Sequence, residues 1–87
     1  MLKKGQIVRS TAGHDKNSFY VILEADEDFT VIADGKRRSL EKPKKKNIKH
    51  LSKTNQSIDL SEALTNKMLK RKLAQFNSEH AEHTEII

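Results

Sequence analysis

Two apolar runs stand three residues apart in this chain, "FYVILEA" at 19–25 and "FTVIADG" at 29–35. Both mix aromatic, β-branched and aliphatic residues, and both are too short for an ordinary helix. The residues between them, Asp26, Glu27 and Asp28, suit a solvated hairpin tip. The pair reads as two strands joined by an acidic turn. Successive strand residues point to opposite faces of a sheet, so Phe19 and Tyr20 lie on different sides and at most one of them is free to stack on a ligand.

Further strand signals surround this pair. "GQIVRS" at 5–10 is a short strand opened by Gly5, and "AGHDKNS" at 12–18 is a turn region rich in Gly, Asp, Asn and Ser. Asp34-Gly35 is a tight-turn dipeptide. "RRSLE" at 37–41 reads as a strand returning from it, interrupted by Pro43, because proline lacks the N–H that a central strand needs. "NIKHL" at 47–51 is the fifth short strand. Five strands with turns at close intervals predict a mainly β protein built as a small barrel.

After residue 52 the character changes. "SKTNQS" is polar and is expected to be a linker over 53–58, followed by a helical appendage over 59–77 and a flexible polar tail over 78–87. Treated as one straight helix, "IDLSEALTNKMLKRKLAQF" places Leu60, Ala63, Leu64 and Met68 on one face and Leu69, Leu73 and Phe76 on the other. A break near Thr65 removes the conflict, with Thr65 as N-cap of a helix over 66–77 and a short turn or helix over 59–64. Lys70, Arg71 and Lys72 then fall late in that helix, where the macrodipole favours cations.

The net charge is +5, and it is concentrated. Residues 1–35 hold four Lys and Arg against six Asp and Glu, residues 51–87 hold five of each, and residues 36–50 hold eight Lys and Arg against Glu41 alone. Charge of one sign gathered in one segment is the footprint of a polyanion partner. Pro43 stiffens this segment, and Leu40, Ile48 and Leu51 anchor its ends. Lysine supplies mobile point charges for phosphate, and Arg37 and Arg38 can contact phosphate bidentately or stack on bases.

The sequence "GQIVRSTAGHDKNSFYVILEADEDFTVIADG" resembles the KOW motif, with a glycine-led strand, a G-x-D-K loop and a strand of apolar residues. Its continuation "KRRSLEKPKKKNIKHL" is similar to bacterial KOW-domain proteins related to a large-subunit ribosomal protein of archaea and eukaryotes. The resemblance covers residues 3–51. The helix "LTNKMLKRKL" is similar to the C-terminal helix of those bacterial proteins. The resemblance implies an SH3-like β-barrel over residues 1–52 that binds RNA, commonly ribosomal RNA, and acts in translation, with ribosomal proteins as further partners. The implied RNA-binding residues are Arg9, His14, Lys16, Asn17, Arg37, Arg38, Lys42, Lys44, Lys45, Lys46, Lys49 and His50, with Asp15 holding the loop. Asn17 stands where the family usually has glycine, and asparagine is among the few other residues that tolerate positive φ.

A second reading treats the chain as a KOW protein-interaction module acting in transcription or ribosome assembly, docking through the apolar helix face Leu69, Leu73 and Phe76. Enzymatic activity is not expected. The chain has no cysteine, hence no thiol nucleophile, disulfide or thiolate metal site, and no P-loop or Rossmann phosphate loop. His80 and His83 have a spacing that can hold zinc on a helix, but no cysteine or third histidine stands near, so neither metal nor cofactor is expected. With no apolar run near the roughly 20 residues that span a bilayer, and no signal-peptide pattern at the start, the chain is expected to be a soluble cytoplasmic protein without a small-molecule substrate.

Overall fold

The computed structural model describes residues 2–13, 16–60 and 64–86, with side chains of the C-terminal helix described as far as Phe76. Its elements are β1 (Gln6–Ser10), β2 (Phe19–Ala25), β3 (Phe29–Ala33), β4 (Lys44–Asn47), a 3-10 turn at Ile48–His50, β5 (Leu51–Ser57) and α1 (Asn66–Ile86). The strands form one five-stranded sheet in the order β4-β3-β2-β1-β5. All four neighbouring pairs are antiparallel. The chain is thus mainly β with one C-terminal helix.

Alternation along β2 splits the core in two. Phe19 and Val21 face one side, with Ile7, Ala33 and Ile58, and α1 covers that side with Leu69 and Leu73. Tyr20 and Ile22 face the other, with Val8 and Ile32, flanked by Leu2 and Leu51. Phe19 and Tyr20 are both buried, at 3% and 1% exposure, so neither is free to stack. Phe19 instead meets Phe76 of α1, ring centroids 5.6 Å apart. A bulge between Ile22 and Glu24 shifts the register of β2 against β3.

The helix begins where the break near Thr65 places it. Thr65 Oγ1 accepts from the Met68 N–H at 3.2 Å, an N-cap bond. Leu69, Leu73 and Phe76 then recur on one face and pack on the sheet, while Met68 remains 39% exposed. Asp59 and Leu60 have no regular structure, and the rest of the expected 59–64 turn, residues 61–63, lies outside the described residues. The helix runs on to Ile86, through the stretch whose polar composition suggests a tail. Lys70, Arg71 and Lys72 therefore sit in its second turn, not near its C-terminal end, and the macrodipole does not account for them.

Three other expectations change, the first being "NIKHL", which is not a strand, because Ile48–His50 form a 3-10 turn between β4 and β5. "RRSLE" is not a strand, because side chains take two of its N–H groups, Arg38 N–H within its own turn and Leu40 N–H from the start of α1. The Asp34 carboxylate accepts from the Lys36 and Arg38 N–H groups, and Asn66 Oδ1 accepts from Leu40 N–H. The fourth strand is instead "KKKN", starting directly after Pro43. "SKTNQS" is not a linker as far as Ser57, because β5 extends through it and pairs with β1 at the sheet edge. Thr54 Oγ1 donates to Ile7 C=O at 2.7 Å there, which a polar edge strand can do without apolar residues.

Helix and β3–β4 loop are fastened at Asn66. Its Nδ2 donates to both Glu41 carboxylate oxygens, at 3.1 and 2.8 Å, while its Oδ1 takes the Leu40 N–H at 2.7 Å. Gly35 comes in beside this point with φ +78°, and a Cβ there would collide with the Asn66 carbonyl oxygen. The Asn66 hydrogen bonds hold the Glu41 carboxyl below the usual glutamate range.

Two measurements test this docking. Leu69→Ala should cost about 2–5 kcal/mol in urea unfolding, because Leu69 is fully buried between helix and sheet; a loss under about 1 kcal/mol would mean that α1 does not seal the core. A depressed folded pKa means that protons bind the unfolded chain more tightly. The Glu41 contribution is therefore present above about 4.5, its ordinary value, and is lost as pH falls through the lower folded value. Glu41→Gln should accordingly destabilise at neutral pH, and its difference from the native chain should shrink as pH falls below about 4.5. A difference independent of pH would contradict the Glu41–Asn66 bond.

Candidate nucleic-acid interface

The strand register sorts the charged residues by position. At one end of the sheet β2 turns into β3 through Asp26, Glu27 and Asp28. The other end gathers the finish of β1, the start of β2 and the finish of β3, since Arg9 pairs with Phe19 and Val21 with Ala33. The seven residues of β2 separate the two ends by roughly 20 Å.

Arg9, Lys16, Asn17, Lys36, Arg37 and Arg38 come to the second end. Asp34 builds the turn that presents the last three. Its Oδ1 accepts from Lys36 N–H and Arg38 N–H, both at 2.9 Å, while the Arg38 carbonyl accepts from the Asp34 and Gly35 N–H groups at 2.9 and 3.1 Å. The backbone at 34–38 is thereby closed on itself, and Lys36, Arg37 and Arg38 are all exposed. A cleft of about 320 Å³ lies between this turn and α1, and Lys70 lines it with Lys36 and Arg37. Sequence reading assigned Lys70 no role at the site, because the distance between the turn and the helix is not encoded in any local pattern.

The β1–β2 loop adds the rest. Asn17 has φ 73°, the left-handed conformation for which glycine or asparagine is suited. Its N–H donates to Ser10 C=O at 2.7 Å, and its Oδ1 accepts from Arg9 Nη1 at 3.3 Å. Lys16 is exposed beside it. His50 is exposed and joins the loop through its backbone, its carbonyl accepting from Thr11 N–H at 2.8 Å. His14 and Asp15 lie outside the described residues, as do the side chains of His80 and His83.

The lysine run at 44–46 does not form one surface. It is a strand, and its side chains alternate. Lys46 is buried, at 8% exposure, and its Nζ donates to Ala12 C=O at 3.1 Å, tying β4 to the β1–β2 loop. Lys45 is on the other face, over the Phe29 ring at 4.6 Å. It belongs to the acidic half of the molecule, in a recess with Glu24 and Asp26. The Asp26 carboxyl is held below the usual aspartate range chiefly by the Phe29 and Asp28 N–H groups, with a smaller contribution from Lys45. Lys44 is half-buried opposite Ile32. Lys42 and Lys49 are exposed on the flanking segments, each with its N–H bonded locally, to Ser39 and Asn47.

Among the described residues, no group of three or more His, Cys, Asp or Glu is placed to hold a metal ion. No helix among them is long and apolar enough to cross a membrane. The helix face Leu69, Leu73 and Phe76, a candidate docking surface in the sequence, is turned onto the sheet. Comparison with known proteins gives no matching family model and no matching curated sequence.

The contrast between neighbouring lysines is measurable. Lys46→Met keeps the aliphatic stem but removes the donor to Ala12, and should cost about 1–3 kcal/mol in denaturant unfolding. Lys45→Ala removes an exposed cation–π contact and a small electrostatic contribution at Asp26, and should cost about 1 kcal/mol or less. Equal losses at the two positions would contradict the alternation assigned to β4.

Proposed function

We propose that this protein binds structured RNA, most directly ribosomal RNA, through the cationic end of its sheet. The observation that carries this reading is the separation of charge. Lys36, Arg37, Arg38 and Lys70 gather beside the finish of β3, and Asp26, Glu27 and Asp28 form the turn at the other end of that strand. A molecule polarised in this way meets a phosphate backbone in one orientation. The turn is closed by Asp34 before any ligand arrives, which lowers the entropy lost on binding.

The finer fold reading is an SH3-like barrel of the KOW type. It is supported by the antiparallel order β4-β3-β2-β1-β5, by the 3-10 turn leading into β5, and by the second buried cluster on the face away from α1. The Lys46–Ala12 and Thr11–His50 hydrogen bonds draw β4 and the 3-10 turn toward the β1–β2 loop, as a closing barrel requires. The positive φ of Asn17, in place of the family's glycine, fits the same reading. With both aromatic residues at the start of β2 buried, neither stacks on a base, and the contacts of the 34–38 turn are to the shape and backbone of the RNA. We assign no enzymatic step to the protein and place its work in translation.

Salt dependence of binding to a ribosomal RNA fragment tests the reading. With about five phosphates neutralised, log affinity should fall against log salt with a slope of roughly −3.5 to −4.5. Changing Lys36, Arg37 and Arg38 together to Glu should reduce the slope by about 2 or more and weaken co-sedimentation with ribosomal subunits. An unchanged slope, or no binding at low ionic strength, overturns the assignment.

A further inference from the structure

The cleft between the 34–38 turn and α1 has two kinds of wall. Lys36, Arg37 and Lys70 supply three positive charges at its edge, and Asp34 and Ser18 supply acceptors. Ala74 supplies exposed apolar surface, with the nearly buried edges of Phe19 and Leu73 behind it. Its volume of about 320 Å³ lies at the small end of the range for pockets that take small organic ligands. A bare phosphate has no use for the apolar part, and an apolar ligand has none for the three cations. A nucleotide uses both, with its phosphate on the cations and its base against the apolar part.

The helix supports this independently. Its first turn carries no acidic residue, although the positive end of a helix dipole favours one there. Lys67, Lys70, Arg71 and Lys72 crowd the first two turns instead, all exposed. Cations stacked toward the positive end of a dipole repel one another and gain when an anion arrives. Asp34 has one carboxylate oxygen occupied by the two backbone N–H groups of its turn. Its second oxygen, in a wall of the cleft, suits a ribose hydroxyl or the amino group of a base.

We infer that this cleft takes one unpaired nucleotide of the bound RNA, with the phosphate held between Lys36, Arg37 and Lys70 and the base laid against Ala74, over the nearly buried edges of Leu73 and Phe19. The inference rests on the RNA-binding reading and adds to it. The target contains a nucleotide turned out of its helix beside the phosphates that the turn contacts, and α1 is half of the recognition site. Unpaired bases are the usual handle by which proteins distinguish one RNA from another, because the major groove of an RNA helix is too narrow to read.

Fluorescence anisotropy with two labelled RNA hairpins tests this, one fully paired and one with a single-nucleotide bulge. The protein should prefer the bulged hairpin by about tenfold. Ala74→Leu fills the cleft from an exposed helix position without changing charge. It should abolish the preference and leave affinity for the paired hairpin unchanged, with thermal unfolding confirming that the variant is folded. Lys70→Ala should weaken the bulged hairpin more than the paired one. Equal binding of both hairpins by the native protein, or a preference that survives Ala74→Leu, overturns this inference and leaves the RNA reading intact. Failure to bind either at low salt overturns both. Displacement of the bulged hairpin by micromolar nucleoside monophosphate assigns the cleft to a free nucleotide and overturns the strand-borne one.

Discussion

β2 carries large apolar side chains on both of its faces, and the rest of the chain is arranged to keep both dry. Phe19 and Val21 would meet water unless something lay across the sheet, and Tyr20 and Ile22 would do so on the reverse side. With no cysteine to cross-link it, a chain of 87 residues has only burial with which to offset its conformational entropy. One face is therefore closed by α1, whose Leu69 and Leu73 replace solvent over Phe19. On the other, Leu2 and Leu51 pack against the cluster. Because α1 is needed for this, it lies against the β3–β4 loop, and the Asn66 side chain fixes it there with three hydrogen bonds.

That placement gives the charge its geometry. The cations of the 34–38 turn would be a mobile cluster if the turn were open. Asp34 closes it from within, and Gly35 lets it approach the start of α1, where any side chain would collide. The helix brings Lys70 to the same place. The acidic residues fall at the far end of β2 because a hairpin's tip and its open end are separated by the length of its strands. Asymmetry of charge thus follows from connectivity, and no single residue produces it.

Strand content in the first half was legible because the apolar runs at 19–25 and 29–35 alternate and end in turn residues. The start of α1 was legible because Leu60 and Leu64 could not share a face with Leu69 and Leu73, and Thr65 marks the break. β4 and β5 were not. Both are edge strands, and both owe their conformation to backbone pairing with a neighbour rather than to an apolar pattern. The same blindness misplaced part of the site. A run of lysines looks like one surface when read as a line, but a strand sends Lys46 inward to Ala12 and Lys45 outward over Phe29. Arg37 and Arg38 are exposed on a turn, and there linear proximity did translate into spatial proximity.

The placement of "KKKN" at the margin of the sheet has a further effect. A terminal strand offers unsatisfied amide groups to any extended chain that passes, and proteins with bare margins zip together into aggregates. Of the three lysines there, Lys45 is the exposed one, and a second copy docking in the same way would meet its like charge. The strand thus bears an exposed cation at the sheet edge, a feature that disfavours pairing between copies independently of what meets the rest of the molecule.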